Sequence, residues 1–168
     1  MRCITFALGV VLLFGLSSAK AEETDAEKVL NEYGEFVVGG WWQGIGAGGV
    51  ETELKHVWIA EKKFIQVTQH GSTAVLAVIG VDPNSKQVNI WWFLPLGLST
   101  TVVTREKDGV WILDNCRVNE EGQEVSTKVR ITKLEPDKMQ LTTLESNING
   151  KPQNIKPAPA SVIWTRQK

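Results

Sequence analysis

Apolar and polar positions alternate along most of this chain, and turn residues interrupt the alternation roughly every eight to twelve positions. Val125, Thr127, Val129 and Ile131 interleave with Ser126, Lys128 and Arg130. That period of two reads as a strand with one wet face. Other runs are apolar on both faces: Val88, Ile90, Trp92 and Leu94 interleave with Asn89, Trp91 and Phe93, and Ala74 to Val81 is apolar throughout. Such strands are covered on the outside or face a dry interior. Ten strands are predicted, at 41–46, 50–60, 63–70, 73–81, 87–94, 98–106, 110–118, 123–134, 138–146 and 160–167. Asp82-Pro83-Asn84-Ser85-Lys86 and Lys107-Asp108-Gly109 carry turn chemistry, and links this short force antiparallel neighbours. Asn147 to Pro159, rich in Pro, Asn and Lys, reads as a loop overhanging an opening. Ten strands in so short a chain leave open edges unless the sheet closes on itself. The expected fold class is therefore all-β: a single antiparallel up-and-down barrel.

One segment keeps a different period. Val29, Leu30, Tyr33, Phe36 and Val37 recur at helical spacing between Thr24 and Val38. Thr24-Asp25-Ala26-Glu27 has the form of a capping box, and Gly39-Gly40 supplies the stop. This amphipathic helix, placed in a unit at 22–39, is expected to pack on a barrel formed by 40–168. Ahead of it, Arg2, the apolar run Ile4 to Leu16 and Ala19-Lys20-Ala21 read as a cleavable signal peptide over 1–21. The apolar run is too short to span a bilayer, which takes about 20 residues. The expectation is an exported protein, periplasmic or extracellular, with no membrane anchor after cleavage.

Charge narrows the partners. Loss of Arg2 and Lys20 leaves 16 of 18 basic residues against 19 acidic ones, a net charge of −3. A nucleic-acid partner needs a basic footprint, and this chain has none. Cys3 lies in the leader, so Cys116 is the one remaining thiol and reads as an inert, buried small hydrophobe.

Seven tryptophans, at 41, 42, 58, 91, 92, 111 and 164, all fall on predicted strands. In each Trp-Trp pair one ring points in and the other out. Most serve as core, because indole carries so much burial area. A subset lining a cavity would suit a flat or greasy ligand. Trp58, Trp91, Trp92 and Phe93 are the candidate lining, with Gln66 and His70 as polar contacts. His56 and His70 are the only histidines, and either is a conceivable haem ligand. No spacing of His, Cys or carboxylates suggests zinc. Asp114, with Asn115 and Arg117, is a candidate polar spot inside the barrel, or else an outward residue. No catalytic residue can be named, and no P-loop, G-x-S-x-G or H-E-x-x-H element is present. Gly46-Ala47-Gly48-Gly49 joins two strands and opens no helix, so it is no phosphate cradle.

Gly40-Trp41-Trp42 resembles the G-x-W element of the lipocalin and calycin barrels. Its extension through Gln43-Gly44-Ile45-Gly46 is similar to the G-x-W-x-G-x-G form of nitrobindin-like barrels. Val78 to Lys86, Trp91 to Phe93, Asn149-Gly150 and the final V-I-W-T-R strand resemble lipocalin-like domains of exported bacterial proteins of unknown function. The resemblance implies a barrel enclosing a ligand site, with Arg166 packed on Trp42 to close the base. It does not carry haem across, because nitrobindin-like proteins use a histidine near the C-terminus and none follows His70 here. The resulting expectation is a carrier of a small apolar or amphipathic molecule, without catalysis and without a resident cofactor. The alternatives are a haem or other cofactor barrel doing redox or isomerase work through His56 or His70, and an interaction module with a filled barrel.

Overall fold

The computed structural model describes residues 23–45, 49–71, 75–95, 97–153 and 161–168. The signal peptide expected over 1–21, most of the Gly46–Gly49 link and residues 154–160 lie outside them. Helix α1 (Asp25–Val37) opens with the capping box its sequence encodes. Thr24 Oγ1 accepts from the Glu27 amide at 3.2 Å, and the Glu27 carboxylate accepts from the Thr24 amide at 2.7 Å. The chain turns out of the helix through Gly39 and Gly40, at φ +97° and +77°. A side chain on Gly40 would also collide with the Gln167 carbonyl.

The strands follow as β1 (Trp41–Ile45), β2 (Glu51–Ile59), β3 (Phe64–His70), β4 (Val75–Val81), β5 (Val88–Leu94) and β6 (Gly97–Lys107). They continue as β7 (Val110–Val118), β8 (Glu124–Glu135), β9 (Lys138–Ile148), β10 (Lys151–Pro152) and β11 (Ser161–Gln167). Each of β1 to β9 pairs antiparallel with the next, β9 pairs with β11, and β11 returns to β1. Ten strands thus close a barrel. Short β10 pairs with β9 beyond the reach of β11, at Ile148 and Asn147. The expected loop over Asn147 to Pro159 is corrected accordingly: its start completes β9, Asn149-Gly150 makes a tight turn, and Lys151–Pro152 pairs back.

Up-and-down order sorts the links to two ends. The base holds α1 and the β2–β3, β4–β5, β6–β7 and β8–β9 turns, and the rim holds the alternate links. At the base the helix inserts Tyr33, Phe36 and Val37 among inward side chains of the strands. Phe36 stacks on Trp111 (centroids 5.5 Å, 9° between planes) and meets Trp42 edge-on at 5.2 Å. Tyr33 meets Trp111 edge-on at 5.4 Å. Each such pair adds about 0.5–1.5 kcal/mol beyond the area it buries. Gly34 lets the helix approach, since a Cβ there would overlap the Trp58 ring. The helix is a plug in the base.

Candidate functional site

Register decides which residues face the interior. Trp42 is fully buried and sits beside Leu54 on β2 and Arg166 on β11, so these share the inner face. The same face runs through Trp58, Ile65, Ile79, Ile90, Thr101 and Asn115, each directly beside the next across its strand pair. Trp92 lies between Ala77 and Ser99 and faces inward with them. Of each Trp-Trp pair, the second ring points in.

This placement separates the proposed lining. Trp58 and Trp92 are inner-facing, Trp58 beneath the helix and Trp92 towards the rim. Trp91, Phe93, Gln66 and His70 are not in the interior, which corrects their assignment as cavity lining. Gln66 lies beside Val78, and Val78 beside Trp91, on the outer face, and Phe93 is 51 % exposed. The physical reason is that β4 and β5 are apolar on both faces, so their composition carries no marker of phase. His70 is exposed on the outside, its ring tilted against Trp41 at 5.8 Å. His56 is inner-facing but sealed at the base, 4 % exposed, with no partner on Nδ1 among the described residues. Burial first, and the charge of Arg166 second, hold its pKa down to about 3. Neither histidine therefore offers an axial ligand to the rim half. Cys116 is also corrected: it is exposed on the outer face, because alternation from inner Trp111 through Asn115 turns it out. Asp114 joins it there, 3.8 Å from Lys128 Nζ.

Base closure is built around Trp42. Its Nε1 donates to the Val37 carbonyl at 2.7 Å. The Arg166 guanidinium carbon lies 4.7 Å from the Trp42 ring centroid. Arg166 also donates from Nη1 to the Val38 carbonyl at 3.4 Å and from Nη2 to the Phe36 carbonyl. These are carbonyls that a helix end leaves without intrahelical partners. No basic residue stands in the last helical turn, so Arg166 supplies the cation there.

Above the base the interior changes. Inner-facing Trp92, Leu113, Val129, Leu141 and Val162 are only half-buried, although Ala77, Ser99, Val103 and Ile131 beside them are sealed, as are Trp42, Ile65 and Ile79 below. The β5–β7 wall of this open half carries a hydrogen-bonded polar cluster of Trp92, Ser99, Thr101 and Asn115. Ser99 and Thr101 escaped sequence reasoning, although Ser99-Thr100-Thr101-Val102-Val103 places two hydroxyls and a valine on one face. Among the described residues no group of His, Cys, Asp and Glu is arranged to hold a metal.

The fold defines a closed antiparallel β-barrel of ten strands with a helical plug. Compared with known proteins, the chain matches no family model and no curated protein.

Proposed function

We propose that this chain is an exported, calycin-like carrier that holds a small apolar or amphipathic molecule in the rim half of the barrel, without transforming it. The observation that carries the reading is the contrast along the barrel axis. Trp42, Ile65 and Ile79 near the plugged base are sealed, whereas Trp92, Val129 and Val162 towards the rim are half-buried. A pre-formed concave site, mainly apolar with a few placed polar groups, is the usual form of a small-molecule site. Trp92 gives such a site an aromatic wall, and Leu113, Val129, Leu141 and Val162 give it aliphatic ones. Export rests on the charged, apolar and small-residue series at the N-terminus. The β-barrel architecture and the G-x-W element at Gly40 to Trp42 support the calycin likeness.

Native mass spectrometry of the chain produced with its leader in a bacterial host tests this reading. The expected outcome is a discrete added mass under gentle ionisation that disappears on denaturation. Trp92→Ala should lower its occupancy severalfold. A chain that carries no added mass and takes up none from a lipid extract would defeat the proposal.

A further inference from the structure

Resting on the carrier reading, the hydrogen bonds of the open half define the chemistry of what it carries. Groups that can only donate or only accept set the direction of most bonds in the cluster. The Cys116 carbonyl only accepts, so the Ser99 hydroxyl donates to it at 3.3 Å. With that proton committed, Ser99 Oγ accepts from Asn115 Nδ2 at 2.9 Å. Trp92 Nε1 only donates, and its bond goes to Thr101 Oγ1 at 3.0 Å. Thr101 Oγ1 also accepts from Asn115 Nδ2, at 2.8 Å. The Thr100 carbonyl, 3.4 Å from the same nitrogen, again calls for a donor. The amide nitrogen of Asn115 therefore faces β6, and its Oδ1 is turned away from that strand.

The Ser99 and Thr100 contacts hold this orientation. Ser99 and Thr101 are 3 % and 2 % exposed. Turning the amide over would let the Thr101 hydroxyl donate to Oδ1, but would set Oδ1 against the Thr100 carbonyl and against a serine oxygen whose proton is already used. Among the described residues no group donates to Oδ1, and it is not one of the sealed polar atoms. It is an accessible acceptor on an inner wall. The surroundings are uncharged: Thr127 stands beside Asn115 on β8, and Leu113 and Val129 lie one step towards the base. Between the base and exposed Arg117 at the rim, no described inner-facing position of β5 to β8 is ionisable.

We infer that Asn115 selects the ligand. The site takes an uncharged molecule with an apolar body and one hydroxyl or N–H donor, which bonds to Asn115 Oδ1, and it disfavours carboxylates. A carboxylate would set acceptor against acceptor and bring an unpaired charge into an uncharged wall.

The test is displacement of the fluorescent reporter N-phenyl-1-naphthylamine from the full chain by decan-1-ol, 1-methoxydecane and decanoate at neutral pH. Decan-1-ol should displace it at about tenfold lower concentration than the ether, the share of one net hydrogen bond. Decanoate should be weaker than the alcohol. Asn115→Leu should bring alcohol and ether within about twofold, each displacement being read against the variant's own affinity for the reporter. Asn115→Asp provides an independent reading: its carboxylate should reverse the preference, so that decylamine displaces better than decan-1-ol. Equal potency of alcohol and ether on the parent chain would overturn the selection and leave the carrier reading standing. Failure of the parent chain to bind the reporter or any of these probes would overturn both.

Discussion

His56 shows how one side chain can couple the plugged base to pH. It is 4 % exposed, Nδ1 has no partner among the described residues, and burial together with the Arg166 charge lowers its pKa from 6.5 to about 3. The unfolded chain takes up this proton near pH 6.5 and the folded chain only near 3, so between those values the unfolded state binds more protons. Stability contributed by neutral His56 is therefore complete above pH 6.5 and declines as the pH falls, with a limiting slope of about 1.4 kcal/mol per pH unit. Between pH 6.5 and 4.5, before most carboxylates titrate, unfolding midpoints in urea should fall steadily. His56→Leu should flatten that part of the profile. A variant profile as steep as the parent's would place the sensitivity elsewhere. At the same scale Trp91 and Trp92 show what a sequence withholds. Adjacent indoles must face opposite ways, but both faces of β5 are apolar, so only the partners Ala77 and Ser99 settle that Trp92 is the inner one.

Among the elements, the helix and the ten long strands were legible because their periods differ and polar turn residues separate them. Thr24, Glu27 and the Gly39-Gly40 stop bound α1 within a residue or two of the structure. Short β10 was not legible, since two residues carry no period and its pairing depends on Ile148 and Asn147 of β9. The β2–β3 turn has a cost of its own. Ala60, Glu61 and Lys62 take φ values of +48°, +55° and +64° in succession, with no glycine among them. Each non-glycine residue in that region costs about 1–2 kcal/mol, set against about 0.5–1 kcal/mol for the extra unfolded-state freedom of glycine. Glu61→Gly should therefore raise stability by about 0.5–1 kcal/mol in a urea titration. Glu120→Gly, in a turn where the residue lies outside that region, should lower it slightly. Equal effects at the two sites would count against strain in the first.

For the molecule as a whole, Arg166 ties the last strand to the first helix, 130 positions apart in its bond to the Phe36 carbonyl. It stacks on Trp42, bonds two carbonyls of the helix end and holds its charge where the helix dipole is negative. Burial lowers its pKa, and the Asp137 carboxylate opposes that shift. Arg166→Ala should cost about 3 kcal/mol by denaturant midpoint, and Arg166→Lys should recover only part because an ammonium lacks the planar fork. A loss under about 1 kcal/mol would show that the plug is held by packing alone. Sequence by itself determined the strand and helix periods, the turn positions and hence an all-β chain that needs closure, because these depend on neighbours a few residues apart. Tertiary structure alone decided the phase of each strand, the plugged and open ends, and the meeting of Trp92, Ser99, Thr101 and Asn115. Those depend on cross-strand register, where a shift of one residue exchanges the inner face for the outer.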